Sequence, residues 1–370
     1  MDPLVTVYED SIFHGLFKSY YSIGDYDVET LDPVGNDKIS SIIVAEGYEA
    51  LLYPDYRFGG SPLVVRGTIT DLKKYGFNDV VSSIRIRQTR TAVEEPTTFV
   101  NENDGTWLMA DWDRDGIPDL VFIKTSNTPS GLVEVHIASG KSNFQTRIFE
   151  DITTFTNEND GTWLMADWDR DRLPDLVFIK TSNTPSGRVE VHIASGKSNF
   201  QTRIFEDITT FTNENDGTWL MADWNRDGIP DLTFIKTSNT PSGLVEVHIA
   251  SGKSNFQTRI FEDITTFTNE NDGTWLMADW DRDGIPDLVF IKTSNTPSGL
   301  VEVHIASGKS NFQTRIFEDY TTFVNENDGT WSMADWNRDG LPDLVFIKTS
   351  NTPNGHVEVH IEPIVSPYRI

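Results

Sequence analysis

The chain has no cysteine among its 370 residues. That excludes disulfide staples and thiolate catalysis, and it leaves the redox compartment open. Basic side chains are scarce: 30 Lys and Arg stand against 57 Asp and Glu, a formal charge of −27. A surface so acidic is a poor match for nucleic acid or for anionic membrane, both polyanions. No apolar run is long enough to span a bilayer. The opening segment from Met1 to Tyr8 has no basic stretch followed by an apolar core, so no secretory signal is expected there. Cytoplasmic synthesis is the default expectation, with release by another route left open. No Gly-rich phosphate loop, nucleophile elbow or HExxH motif occurs, and a non-catalytic protein is expected.

What the chain has instead is repetition. Trp107, Trp163, Trp219, Trp275 and Trp331 are spaced 56 residues apart, and the sequence around each is almost the same. A fixed period of this size signals a propeller, solenoid or array. Each unit holds four strand-like runs, Thr106–Trp112, Leu120–Thr125, Val133–Ser139 and Thr146–Phe155 in the first copy. They are rich in β-branched and aromatic residues and are separated by Gly-, Asn- and Pro-containing turns. Four strands per unit predicts a propeller blade, so the fold class expected is all-β with a five-bladed β-propeller. A β-solenoid with 56-residue coils is the alternative. The last unit ends after its third strand, at His356–Ile361, and Gln88–Phe99 resembles the missing fourth run. A segment within 88–99 is therefore expected to complete the last blade and cover its open edge. The domains expected are 1–87 and 88–370.

Between the first two runs of each unit lies an acidic loop, Asp111-Trp112-Asp113-Arg114-Asp115-Gly116-Ile117-Pro118-Asp119 in the first copy. Carboxylates at positions 1, 3, 5 and 9 wrap oxygen donors around one point, as Ca²⁺ requires. An EF-hand is excluded because position 12 is Phe122, inside a strand, and Pro118 stands at position 8. The loop resembles the FG-GAP (or VCBS) repeats of integrin-type propellers and of some fungal and bacterial lectins. That resemblance implies Ca²⁺ held by Asp111, Asp113, Asp115 and Asp119 in the first unit, and by Asp167, Asp169, Asp171 and Asp175 in the second. The third set is Asp223, Asn225, Asp227 and Asp231; the fourth is Asp279, Asp281, Asp283 and Asp287; the fifth is Asp335, Asn337, Asp339 and Asp343. Asn at the second ligand keeps an oxygen but loses a charge, which weakens the third and fifth sites. Arg172 replaces glycine in the second loop, where positive φ is expected, so that site is expected to be weakest or empty.

Residues 1–87 contain no tryptophan and carry a twofold repeat of their own. Tyr8–Gly15 and Tyr53–Gly60 both read Tyr-x4-Phe-x-Gly, and Asn36-Asp37-Lys38-Ile39-Ser40-Ser41 is matched by Asn78-Asp79-Val80-Val81-Ser82-Ser83. This segment resembles a microbial-type βγ-crystallin domain, which implies a Greek-key sandwich with a double calcium clamp. The resemblance places ligands at Asn36, Asp37 and Ser40 and at Asn78, Asp79 and Ser82. With five loops and two clamps filled, seven divalent ions would bring the charge from −27 to −13.

Multivalent carbohydrate binding is the expected function, with glycans or glycoconjugates as partners. The candidate platforms are Trp107, Trp112, Trp163, Trp219, Trp275 and Trp331. The candidate polar contacts are Glu134, His136 and Arg147 with the recurring His192, His248, His304 and His360. Asn101, Glu102, Asn103 and Asp104 supply further hydroxyl partners before the first strand. Five weak sites on one scaffold would gain by avidity. The competing expectation is a calcium-stabilised structural or protein-interaction scaffold that binds no sugar.

Overall fold

The computed structural model describes residues 3–45, 47–60, 62–65, 67–88, 93–338 and 340–363. It is all-β, with short 3₁₀ turns and no α-helix among the described residues. Two compact units divide between residues 91 and 92.

The N-terminal unit contains β1 (Val5–Tyr8), β2 (Phe17–Tyr20), β3 (Gly24–Tyr26), β4 (Ser41–Val44), β5 (Tyr48–Tyr53), β6 (Leu63–Val65), β7 (Thr68–Ile69) and β8 (Ser83–Gln88). They form two four-stranded sheets, β2-β1-β4-β7 and β3-β8-β5-β6. In each half the aromatic-x4-aromatic motif folds a tight corner. Tyr8 meets Phe13 edge-on at 5.5 Å, and Tyr53 meets Phe58 at 5.6 Å. Buried Ser41 and Ser83 pin these corners. Ser41 Oγ donates to the Asp10 carbonyl at 2.6 Å and accepts from the Phe13 amide at 3.1 Å. Ser83 Oγ does the same for Asp55 and Phe58, at 2.8 and 3.0 Å. Val5, Val7, Ile42, Leu52, Ile84 and Ile86 fill the core between the sheets.

The second unit begins with β9 (Val93–Val100). The first repeat follows as β10 (Gly105–Ala110), β11 (Asp119–Lys124), β12 (Leu132–Ala138) and β13 (Arg147–Thr156). These pair in sequence order, all antiparallel. The same sheet recurs as β14–β17 (161–212), β18–β21 (217–268) and β22–β25 (273–324). The last repeat supplies β26 (Gly329–Ala334), β27 (Asp343–Lys348) and β28 (His356–Glu362), and β9 is the fourth strand of its sheet, antiparallel to β28. Of the segment 88–99, residues 89–92 lie outside the described residues. Antiparallel hairpins within separate sheets rule out stacked solenoid coils.

The strands form where the pattern places them because alternate residues point to opposite faces, and here both faces are covered. Val121, Ile123, Val133, Val135 and Ile137 of the first sheet pack against Trp163, Leu176, Phe178 and Phe200 of the second. The last sheet packs on the first in the same way, with Val345, Ile347, Val357 and Val359 against Trp107, Leu120, Phe122 and Phe144. The first strands touch in order, β10 to β14, β18, β22 and β26, and β26 returns to β10. Gly105 opens its strand because a Cβ there would stand 2.1 Å from the Ile123 carbonyl oxygen.

Candidate functional site

The acidic loops join the first and second strands of every sheet, so β10 and β11 hold the ends of the first loop in fixed register. Inside it, side-chain oxygens cap the backbone of the turn. Asp111 Oδ2 accepts from the Gly116 amide at 3.1 Å, Asp113 Oδ1 from Asp115 at 3.1 Å, and Asp115 Oδ1 from Ile117 at 2.9 Å. The opposite oxygens, Asp111 Oδ1 and Asp115 Oδ2, are buried without a hydrogen-bond partner. The same holds for Asp167 Oδ1 and Asp171 Oδ2, for Asp279 Oδ1 and Asp283 Oδ2, and for Asp335 Oδ1. Buried carboxylate oxygens without donors are costly, and a hard cation satisfies them. Carboxylates gather within metal-ligating reach at Asp111, Asp113 and Asp115, at Asp167, Asp169 and Asp175, and at Asp279, Asp281 and Asp287. The residues thus fit an oxygen-ligated divalent ion.

Position 9 has a second task that spacing alone does not disclose. Asp119 is fully buried. Its Oδ2 accepts from the Trp112 amide at 2.8 Å and its Oδ1 from the Gly140 amide at 2.9 Å. The carboxylate therefore ties the loop to the turn after the third strand, besides standing beside the other ligands. Burial pushes the Asp119, Asp175 and Asp231 carboxyls up to about 6 and Asp287 up to about 7, against the lowering effect of these amides.

The third loop departs from its neighbours. Asp223 Oδ1, the counterpart of the orphaned oxygens, accepts from the Asp227 amide at 3.1 Å, and Asn225 turns its amide to Asp231 at 3.3 Å. Asn337 does the same to Asp343; Asp339 lies outside the described residues. In the second loop Arg172 keeps the glycine's path with φ of 73°, and its amide still reaches Asp167 Oδ2 at 3.0 Å. The substitution therefore leaves the loop carboxylates in place at the cost of backbone strain.

In the N-terminal unit the two clamps exchange contacts. Ser82 Oγ donates to Asp37 Oδ1 at 3.0 Å, and Ser40 Oγ donates to Asp79 Oδ1 at 3.2 Å. Asp37 and Asp79 have positive φ of 53° and 57°. Asn36 and Asn78 turn their amides onto the neighbouring Asp, each at 2.7 Å. Each motif's Asp therefore meets the other motif's Ser, an all-oxygen donor set suited to a hard cation.

The tryptophans fall elsewhere. Trp107, Trp163, Trp219, Trp275 and Trp331 are no more than 5% exposed. Trp107 stacks on Phe122 at 4.2 Å and donates its indole N–H to the Glu102 carbonyl at 3.1 Å. These rings are core and offer no face to a ligand, which overturns their role as platforms. Trp112 is half-buried against Phe149 and Phe200. Their spacing marks the period but not the direction each ring faces.

The polar candidates do come together. His192 Nδ1 lies 3.1 Å from an Arg203 N–H, and its Nε2 lies 3.4 Å from Glu190 Oε2. Nδ1 also lies 3.5 Å from Glu206 Oε2, so the ring stands between two carboxylates and a guanidinium. Arg203 also pairs with Glu206 at 3.0 Å and stacks over Phe155 of the preceding sheet at 3.8 Å. Glu134, His136 and Arg147 repeat this arrangement, with Arg147 over Phe99 at 3.5 Å. His248 and His304 each lie 3.2 Å from the Glu two residues before, and His360 lies 3.4 Å from Glu358. A cleft of about 610 Å³ opens between the first and second sheets, lined by Glu158, Lys180, Glu190, His192, Arg203 and Glu206. An adjoining hollow of about 520 Å³ adds Asn157, Asn159 and Asp160. Lys180, missed in the sequence, binds Asp160 at 3.1 Å; its signal was the lysine ending every second strand. Asn157 Oδ1 and Asp160 Oδ1 are buried without partners, as are their counterparts in all five units, from Asn101 and Asp104 to Asn325 and Asp328.

Comparison with known proteins adds the following. A family model for the FG-GAP-like repeat matches residues 279–346. A β/γ-crystallin of Ciona intestinalis is 40% identical over 55 residues, 15% of this chain and 57% of the relative. The chain thus spans little more than half the length of that curated relative. A βγ-crystallin domain from Flavobacterium johnsoniae is similar at 38% identity, covering 23% of this chain and 96% of that one, with a TM-score of 0.22. A βγ-crystallin domain from Clostridium beijerinckii is similar at 26% identity over 23% of this chain and 99% of its own, TM-score 0.22. These findings define the class, a β-rich protein of modular build. It joins a βγ-crystallin-like segment to FG-GAP-like repeats.

Proposed function

We propose that the protein is a non-catalytic, calcium-stabilised binding scaffold whose five repeat sheets are the blades of a closed five-bladed propeller. The observation that carries the calcium reading is the recurrence of buried, partnerless carboxylate oxygens in the acidic loops. Closure is supported by β9 completing the last sheet and by the packing of that sheet on the first. The non-catalytic reading is supported by the fivefold likeness of the histidine constellation, whereas catalysis uses one asymmetric cleft. Calcium titration of chelator-stripped protein tests the first claim. Several ions should bind and raise the melting temperature, since a ligand of the folded state stabilises it. No heat at millimolar calcium would sink it.

A second reading, glycan recognition, is favoured by one observation: the partnerless Asn157 and Asp160 oxygens border the inter-sheet cleft and call for hydroxyl donors. Its five period-marking tryptophans are buried, so it rests mainly on polar contacts. A glycan array should give a signal that His192→Ala or Arg203→Ala weakens while calcium uptake stays unchanged. Silence on the array with calcium uptake intact leaves the scaffold reading.

A further inference from the structure

Arginine occupies the fourth position of every acidic loop: Arg114, Arg170, Arg226, Arg282 and Arg338. All five have positive φ, between 59° and 63°. None pairs within its own loop in the contacts that follow; each reaches the next. Arg114 Nη2 lies 3.8 Å from Asp171 Oδ1, Arg170 Nη2 3.9 Å from Asp227 Oδ1, and Arg226 Nη2 3.4 Å from Asp283 Oδ1. Arg282 Nε donates to the Gly340 carbonyl at 2.9 Å. Arg338 Nε donates to the Gly116 carbonyl at 3.1 Å, and its Nη2 lies 3.6 Å from Asp115 Oδ1. The contacts run from the first loop through the fifth and back to the first.

The target is informative. Asp115, Asp171 and Asp283 are position-5 carboxylates whose other oxygen is buried without a hydrogen bond, although Lys141 Nζ lies 3.7 Å from Asp115 Oδ2 and Lys309 Nζ 3.7 Å from Asp283 Oδ2. One oxygen meets the preceding loop's guanidinium; the other has no hydrogen bond and, in the first and fourth loops, faces only an exposed lysine ammonium that an entering cation can displace. Position 6 makes room for this approach. A Cβ added at Gly228 would stand 3.4 Å from Arg170 Cζ, and one at Gly340 would stand 2.8 Å from Arg282 Cζ. The guanidinium thus lies against position 6, where glycine is favoured by φ and the arginine tip can shift to admit a side chain.

We propose that these arginines set the metal affinity of the loops, each serving as a resident cation of the loop that follows. The proposal rests on the calcium reading of the loops. An ion entering one loop meets a positive charge anchored in its neighbour. At roughly 6 Å in a water-like dielectric, that repulsion lowers affinity by up to about tenfold, and salt weakens it. A filled loop in turn loosens its hold on the preceding arginine. Every site is therefore tuned by a side chain outside its own ligand set. The second loop carries an extra burden, since Arg172 brings another cationic side chain to the loop that Arg114 already contacts.

The test uses the full chain labelled with 5-fluorotryptophan. The Trp280 amide donates to Asp287 at 2.9 Å inside the fourth loop, so its ¹⁹F resonance, assigned with Trp280→Phe, reports calcium entry there. Arg226→Gln should tighten calcium at the fourth loop by roughly 3- to 10-fold at low salt, with the gain shrinking as salt rises. Arg226→Lys, which keeps the charge, should stay near wild type. Calcium uptake by the wild type with unchanged or weaker affinity in Arg226→Gln overturns the proposal and leaves the calcium reading standing. No calcium uptake by the wild type overturns both. If Arg226→Gln fails to fold, Arg338→Gln read at Trp112 in the first loop decides by the same criteria.

Discussion

Arg172 holds φ of 73°, where the other four loops have glycine at 81° to 83°. A side chain in this left-handed region costs about 1–2 kcal/mol. Arg172→Gly should therefore stabilise the metal-free protein by about 1 kcal/mol in urea denaturation with chelator present. A second expectation concerns pH. Asp119, Asp175, Asp231 and Asp287 titrate near 6 to 7 in the fold because they are buried, against about 4 in an unfolded chain. The folded state thus holds more protons between these values. These groups contribute stability below pH ~4 that is lost as pH rises through about 6–7. Metal-free protein should show a falling denaturation midpoint from pH 4.5 to 7.5, and saturating calcium should flatten the trend. At this scale the sequence was legible in part. The gathering of oxygen donors in the loops and in the Asn-Asp/Ser-Ser motifs could be read because such donors must cluster within a few residues. The burial of Trp107 could not, because both faces of its strand are covered and periodicity names no outside. Nor could the aim of Arg114, which depends on Asp171, 57 residues away.

The two Ser-Ser pairs show how one short motif serves two purposes. All four are buried; Ser40 and Ser82 reach the opposite clamp, Ser82 also donating to the Pro54 carbonyl, whereas Ser41 and Ser83 hold the aromatic corners. Ser83→Ala should leave the Phe58 amide and the Asp55 carbonyl without their partner and cost about 1–3 kcal/mol. Ser82→Ala should reduce calcium binding to the clamp with less effect on stability. Differential scanning calorimetry together with a calcium titration separates the two outcomes. The strand runs were readable to within one or two residues, because β-branched and aromatic segments end at Gly, Asn and Pro. The first run was read two residues too far: Asp111 and Trp112 belong to the loop, since Asp119 draws the Trp112 amide out of the ladder. Pairing partners beyond the hairpins, above all β9 with β28, were suggested only by the missing fourth run.

For the whole molecule, calcium at a hundredfold excess over its dissociation constant should add about 2.7 kcal/mol per independent site. Removing residues 1–87 should leave a folded repeat unit, and removing residues 1–99 should expose the β28 edge and cause aggregation. Sedimentation and thermal melts of the two truncations check this; identical behaviour would show that β9 is dispensable. The pairing of β9 with β28 also has a consequence in time. During synthesis β9 leaves the ribosome before its partner exists, and some 250 residues must follow before His356–Glu362 appears. At about 5–20 residues per second, that is a wait of roughly 10–50 s. An unpaired strand edge invites wrong partners throughout the wait. β9 is equipped for the delay: opposite Glu358 it carries Pro96, where the other four outer strands carry Ile152, Ile208, Ile264 and Tyr320 opposite the matching glutamates. Proline offers no N–H to a stray strand, so the segment that waits longest is the copy least able to pair early with the wrong neighbour.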